Sequence, residues 1–203
     1  MTDTPEKLEN MTLGDARTQP GTSPCPPPAG MTPKKGQHVI GEIDMRIASD
    51  GTWFYMGTPI TRNSLVNLFS TVIHRDADGA YWLITPAEMA RIKVEDAPFL
   101  AVELNVTNDD DVNTLNFRTN SGRWVAADAA HPIRVEIDPD TQEPRPYLQV
   151  AEDGTEARIN RAVFYELVDM AKQADIKGET VLTLSSGGAT FTLGILGAAT
   201  ENT

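Results

Sequence analysis

The sequence holds a single cysteine, Cys25, in 203 residues, which excludes a disulfide framework and any zinc or iron–sulfur site built from several thiolates. Aromatic side chains are scarce, at 6%. No apolar run approaches the ~18 residues that a membrane-spanning helix needs, and no apolar core of a secretory signal follows the first residues. The protein is therefore expected to act in the cytoplasm, with no membrane partner. Basic residues are also few: 17 Lys and Arg stand against 29 Asp and Glu, for a formal net charge of −12. Coating a nucleic-acid polymer needs the opposite balance, so that partner is excluded. His38, His74 and His131 are isolated, with no His-Glu-x-x-His pair and no clustered ligands; neither a metal nor another cofactor is expected. A Gly-x-Ser-x-Gly elbow and a Walker loop are missing as well. No residue is assigned a catalytic role.

What is present starts with a contrast. Residues 1–36 carry seven of the 14 prolines, only two large aliphatics (Leu8 and Leu13) and no aromatic. The run Pro24-Cys25-Pro26-Pro27-Pro28 lacks most of the backbone donors that a helix or sheet uses. Such a stretch buries too little apolar surface to offset its ordering entropy, so 1–36 reads as a disordered tail. Its charges cancel, which leaves all of the −12 on 37–203, where 25 acidic residues face 13 basic ones.

Within that body a pattern occurs twice. Asp50-Gly51-Thr52, Ile60-Thr61-Arg62 and then Leu65, Leu68 and Phe69 are matched by Asp153-Gly154-Thr155, Ile159-Asn160-Arg161 and then Phe164, Leu167 and Val168. Each copy reads as strand, turn, short strand and helix. The apolar residues of 62–74 and of 161–176 recur with the period of a one-faced helix. Thr61 and Asn160 are suited to cap those helices, Ile60 with Leu65 and Ile159 with Phe164 to staple them, and Gly178 to end the second.

The rest is rich in strands. Asp76-Ala77-Asp78-Gly79 is a turn into a strand over 80–84, and Thr85-Pro86-Ala87-Glu88 fits the first turn of a helix. Leu100, Val102, Leu104 and Val106 alternate as in a half-buried strand. Further strands are expected at 115–119, 124–126, 133–137 and 147–150, with a hairpin of 180–185 and 190–196 around Gly187-Gly188. The fold class is α+β: two related small domains, each a mostly antiparallel sheet with one main helix. The polar run 108–111 suggests the boundary, giving domains 37–107 and 108–203.

The stretch Asp50-Gly51-x-Trp53-x-x-x-Gly57-x-Pro59-Ile60-x-Arg62-x-x-Leu65-Val66-x-Leu68-Phe69 resembles the bacterial domain-of-unknown-function family twelve-eighty-five. The likeness continues through Gly79-x-Tyr81-x-Leu83-x-Thr85-Pro86-x-Glu88 and Ile92-x-Val94-x-Asp96-Ala97-Pro98-Phe99 to Pro146-Tyr147 and Arg161-x-x-x-Tyr165-x-Leu167. It implies a duplicated two-domain fold with a pleckstrin-homology-like C-terminal domain. It also implies a site for a nucleotide-like ligand at the interdomain interface, and a role in bacterial signalling with a possible protein partner.

Arg62 and Arg161 each fall at the first turn of an expected helix, where the macrodipole is already positive. Such a position favours an anion. The anion is either a ligand phosphate or carboxylate, or an internal acid: Glu88 or Asp96 for Arg62, Asp153 or Glu156 for Arg161. Trp53 and Tyr147 precede the two helix starts and could stack a flat ligand. The expected function is a non-enzymatic module binding a small anionic ligand in the interdomain groove, with Arg62, Arg158 and Arg161 supplying charge and Trp53 and Tyr147 an apolar wall. The alternatives are a protein-interaction scaffold without a small ligand, and a hydrolase using Asp96 or Glu95.

Overall fold

The structure is a computed structural model and describes residues 26–109 and 112–198; Cys25 and most of the expected tail lie outside the described residues. The chain divides into two compact units between Asp96 and Ala97. It is α+β with two domains, and the duplicated strand–turn–strand–helix unit is present in both.

In the first unit, β1 (His38–Ile47) alternates as a half-buried strand should, with Ile43, Met45 and Ile47 inward and Glu42 and Asp44 outward. It turns at Asp50-Gly51, where Thr52 N–H donates to Asp50 Oδ1 at 2.9 Å, into β2 (Trp53–Tyr55) and β3 (Thr58–Pro59). Helix α1 (Asn63–Ser70) follows, and then the meander β4 (Ile73–Arg75), β5 (Tyr81–Ile84) and β6 (Glu88–Val94). The six strands form one sheet in the order β3-β2-β1-β6-β5-β4, antiparallel except where β1 meets β6.

Three local expectations are corrected here. Helix α1 stops at Ser70 rather than running to 74. The β-branched run Thr71-Val72-Ile73 prefers extended backbone, and Ile73 is buried opposite Leu83 in the sheet. The cap of α1 is Arg62, not Thr61, and it makes no side-chain capping bond. Thr85-Pro86-Ala87-Glu88 is a tight turn and not a helix start: Thr85 Oγ1 accepts from Glu88 N–H at 3.0 Å, while Thr85 N–H closes on Glu88 O at 2.8 Å.

The described part of the expected tail is also ordered against this unit. Pro28 is buried, Ala29 N–H donates to Asp76 Oδ2 at 3.3 Å and Ala77 N–H to Ala29 O at 3.1 Å. Lys34 N–H donates to Oε1 of Gln37, the first residue past the tail, at 3.0 Å, and Gln37 Nε2 in turn reaches Thr85 O at 2.6 Å. Composition alone missed this because the acceptor, Asp76, lies 47 residues further on.

The second unit begins with β7 (Phe99–Asp109) and β8 (Val112–Thr119), then β9 (Trp124–Ala126), β10 (Ile133–Ile137), β11 (Pro144–Gln149) and β12 (Glu156–Ile159). Their order in the sheet is β10-β11-β12-β7-β8-β9, again with one parallel pair, β12 on β7. The expected boundary at 108 falls in the β7–β8 hairpin, where Asn108 pairs with Asn113 and Thr107 with Thr114. A polar run reads as a linker, but Asn and Thr pair across strands through their side chains; Asn108 Nδ2 meets Asn113 Oδ1 at 2.7 Å.

Helix α2 (Arg161–Met170) then leads to the meander β13 (Lys172–Ile176), β14 (Glu179–Ser186) and β15 (Ala189–Ala198), a separate three-stranded sheet. The helix is six residues shorter than its apolar period suggests, because 172–176 pairs with β14. Gly178 therefore serves a hairpin rather than a helix end: Lys177 and Gly178 have φ of 52° and 82°, the two-residue turn that fits strand twist. The expected Gly187-Gly188 hairpin is present, and its Ser186 ties the two sheets together. Its hydroxyl donates to Ala127 O at 2.6 Å and accepts from Leu115 N–H at 2.8 Å. Phe117, Leu148, Ile159, Leu167 and Phe191 are buried in this unit's core.

Candidate functional site

The start of α2 is set by its sequence. Asn160 takes an extended backbone, and its side chain accepts from Val163 N–H at 2.8 Å, the N-cap geometry expected from Ile-Asn-Arg. Just before it, the β11–β12 ladder runs from Gln149–Glu156 to Tyr147–Arg158 and ends there. Pro146 and Pro144 come next on β11, and neither has an N–H to extend the pairing. The chain instead leaves for the helix once Asn160 N–H has bonded to Ala101 O at 3.1 Å.

That divergence leaves a pocket of about 250 Å3. Pro144, Pro146, Ile159 and Phe164 give it apolar walls, Arg158 and Arg161 bring two cations, and Tyr165 and Glu143 complete the lining. Arg161 Nε donates to Tyr165 Oη at 3.0 Å and Nη2 to Glu143 Oε1 at 3.3 Å. The Tyr165 hydrogen bond, followed by attraction to Glu143, raises the pKa of this guanidinium above its ordinary value. The acid beside Arg161 is thus Glu143, not Asp153 or Glu156. Asp153 accepts from Thr155 N–H within its own turn at 2.9 Å. Glu156 grips Arg134 through both oxygens, at 2.5 and 2.6 Å.

Of the five residues expected to bind a ligand, two share this pocket: Arg158 and Arg161. Tyr147 is 3% exposed and sits beneath two cations, with the Arg134 and Arg158 guanidinium carbons 4.3 and 5.4 Å from its ring centroid. It supports those side chains rather than offering a stacking wall. Trp53 is 2% exposed and stacks on Phe69 at 6.0 Å in the core of the first unit, so its ring presents no free face. Arg62 lies on the surface of that unit, its Nε bonded to Ser64 Oγ at 3.1 Å. Tyr165 enters the reading of the sequence only as part of the family motif, with no site role, and Glu143 is not singled out at all. The i,i+4 spacing of Arg161 and Tyr165 carried the signal for the first, but nothing local marks Glu143, 18 residues upstream.

Two acidic groups outside the pocket are tied into the fold. Asp76 is 7% exposed and accepts from Trp82 Nε1 at 2.8 Å, Ala80 N–H at 2.8 Å and Asp78 N–H at 3.1 Å. Burial works to raise its pKa, but these hydrogen bonds outweigh it and the net direction is downward. Glu95, a candidate for acid–base work, is paired with Arg46 and accepts from Ser49 N–H at 3.0 Å. Among the described residues no group of three or more His, Cys, Asp or Glu is placed to hold a metal ion, and no helix is long and apolar enough to cross a membrane.

Residues 33–97 match the model of the DUF1285 N-terminal domain, a domain of unknown function. Residues 98–193, which include every residue of the pocket, match that of "Protein of unknown function (DUF1285), C-terminal domain". A crystal structure of a DUF1285 family protein from Silicibacter pomeroyi DSS-3 is 39% identical with a TM-score of 0.71, over 83% of this chain and 91% of that one. Another, from Shewanella baltica OS155, is 28% identical with a TM-score of 0.47, over 62% and 91%. No curated protein matches the chain. Two consecutive domain matches and a relative of this similarity settle the family: the chain belongs to the DUF1285 family of proteins of unknown function.

Proposed function

We propose that the protein is a binding module, acting in the cytoplasm in a signalling role, whose C-terminal domain takes a small organic anion in the pocket beside α2. One observation carries the proposal. In a chain of net charge −12, this pocket brings two guanidinium groups, with one carboxylate, together among apolar walls. Guanidinium groups match carboxylate and phosphate in shape and charge, while Pro146, Ile159 and Phe164 suit a flat apolar part. The volume of about 250 Å3 lies below the ~300–1,000 Å3 of drug-sized sites; it fits a small molecule, or one end of a larger one such as a nucleotide.

Binding to the folded state raises stability by mass action, by about 2.7 kcal/mol at a hundred times Kd, so a thermal shift with phenyl phosphate, AMP and inorganic phosphate is the first test. A charge-assisted contact contributes ~1.5–3 kcal/mol; Arg158→Ala and Arg161→Ala should each weaken phenyl phosphate by about ten- to a hundredfold in calorimetry. Binding unaltered by both substitutions, or no stabilisation of the wild type by any of the three anions, overturns the proposal.

A further inference from the structure

The pocket contains one residue of the wrong charge for an anion site. Glu143 lines it and holds Arg161 through a single 3.3 Å contact. Resting on the anion-binding reading above, we infer that Glu143 is a built-in competitor: its carboxylate holds Arg161 and is displaced by any external anion that uses that guanidinium.

Three features of the geometry support this. The backbone of Glu143 is fixed, because Asp138 N–H donates to Glu143 O at 2.9 Å. Asp138 in turn accepts from Asp140 N–H and Thr141 N–H, both at 2.9 Å, and is paired with Arg145. Displacement therefore needs only a side-chain rotation and no rebuilding of the β10–β11 turn. The pair is also exposed, with 70% of the Arg161 side chain and 58% of the Glu143 side chain accessible, and ion pairs of this kind shift an equilibrium by no more than about fivefold. Arg134 supplies the contrast. Its partner Glu156 engages it through two oxygens and is only 20% accessible, so that guanidinium is committed to the fold. Arg161 is held in place but not committed.

A competing carboxylate selects among ligands. Every anion that replaces Glu143 does so while that carboxylate remains nearby, and the repulsion grows with ligand charge, so Glu143 holds back the dianion of a phosphate monoester more than a monocarboxylate of the same shape.

The test is calorimetric titration of phenyl phosphate into the full chain, as wild type, Glu143→Gln and Glu143→Ala. Both variants should bind about two- to fivefold more tightly than wild type, and the gain should shrink as added salt screens the charges. Melting temperatures close to the wild-type value confirm an intact fold. Equal or weaker binding by both variants, with the wild type binding, overturns the competitor role and leaves the anion site standing. No binding by any of the three folded proteins overturns both.

Discussion

Asp76 gives the sharpest stability prediction, because its two oxygens have different duties. Oδ1 accepts the backbone N–H groups of Asp78 and Ala80 and shapes the β4–β5 turn. Oδ2 accepts Trp82 Nε1 at 2.8 Å and Ala29 N–H at 3.3 Å. Trp82 is 2% exposed, so its indole N–H has no ready access to water once Oδ2 is gone. An orphaned buried donor costs about 1–3 kcal/mol, and losing the turn bonds as well brings Asp76→Ala to about 3 kcal/mol. Asp76→Asn keeps one oxygen. If that oxygen stays on the turn, the new amide NH2 faces two donors in place of an acceptor; the isosteric change should therefore cost ~2 kcal/mol or more. Adding Trp82→Phe removes one clashing donor. Its cost in the Asp76→Asn background should be smaller than in wild type by about 1 kcal/mol, the usual scale of coupling between touching residues. Urea unfolding followed by tryptophan fluorescence reads this out, with the two units analysed as separate transitions. Additive costs in the double variant, or a loss below about 0.5 kcal/mol for Asp76→Asn, the range of an ordinary surface substitution, would refute the argument.

Acid should act through the same kind of group. Asp76, Asp128 and Asp138 all have folded pKa values below the ordinary 3.8. Their contribution is complete above the unfolded value and fades as pH falls through the folded ones, so circular dichroism melts should be flat from about pH 7 to 5 and drop below about pH 4. Asn160→Ala removes the capping acceptor for Val163 N–H and should cost about 1 kcal/mol in the second unit's unfolding, weakening phenyl phosphate binding by loosening the first turn of α2. Gly187→Ala should be worse, at roughly 2 kcal/mol in the same assay. Its φ of 54° is the left-handed region, and an added Cβ would stand 3.0 Å from Ala127 O.

Much of the fold was legible because its determinants are local. Strands β9 and β10 and the Gly187-Gly188 hairpin stand where alternation and turn residues put them. The Asn160 cap is set by one side chain and a backbone N–H three residues away. The repeated Asp-Gly turn and Ile-x-Arg helix start reveal the duplication. Arg158 and Arg161 could be singled out from their place at the second helix start.

What depended on distant partners could not be read this way. Helix ends moved inward because 73–75 and 172–176 found strands to pair with. The boundary moved to Asp96 and Ala97 because a polar run closed as a hairpin. Trp53 went to the interior because α1 laid Phe69 against its ring, and Tyr147 because sheet register set Arg134 and Arg158 beside it. The carboxylate beside Arg161 was chosen by the placement of the β10–β11 turn over α2. Periodicity and turn chemistry act over a few residues and are written in the chain. Which face is covered, and which acid meets which base, is decided by packing between segments far apart in sequence.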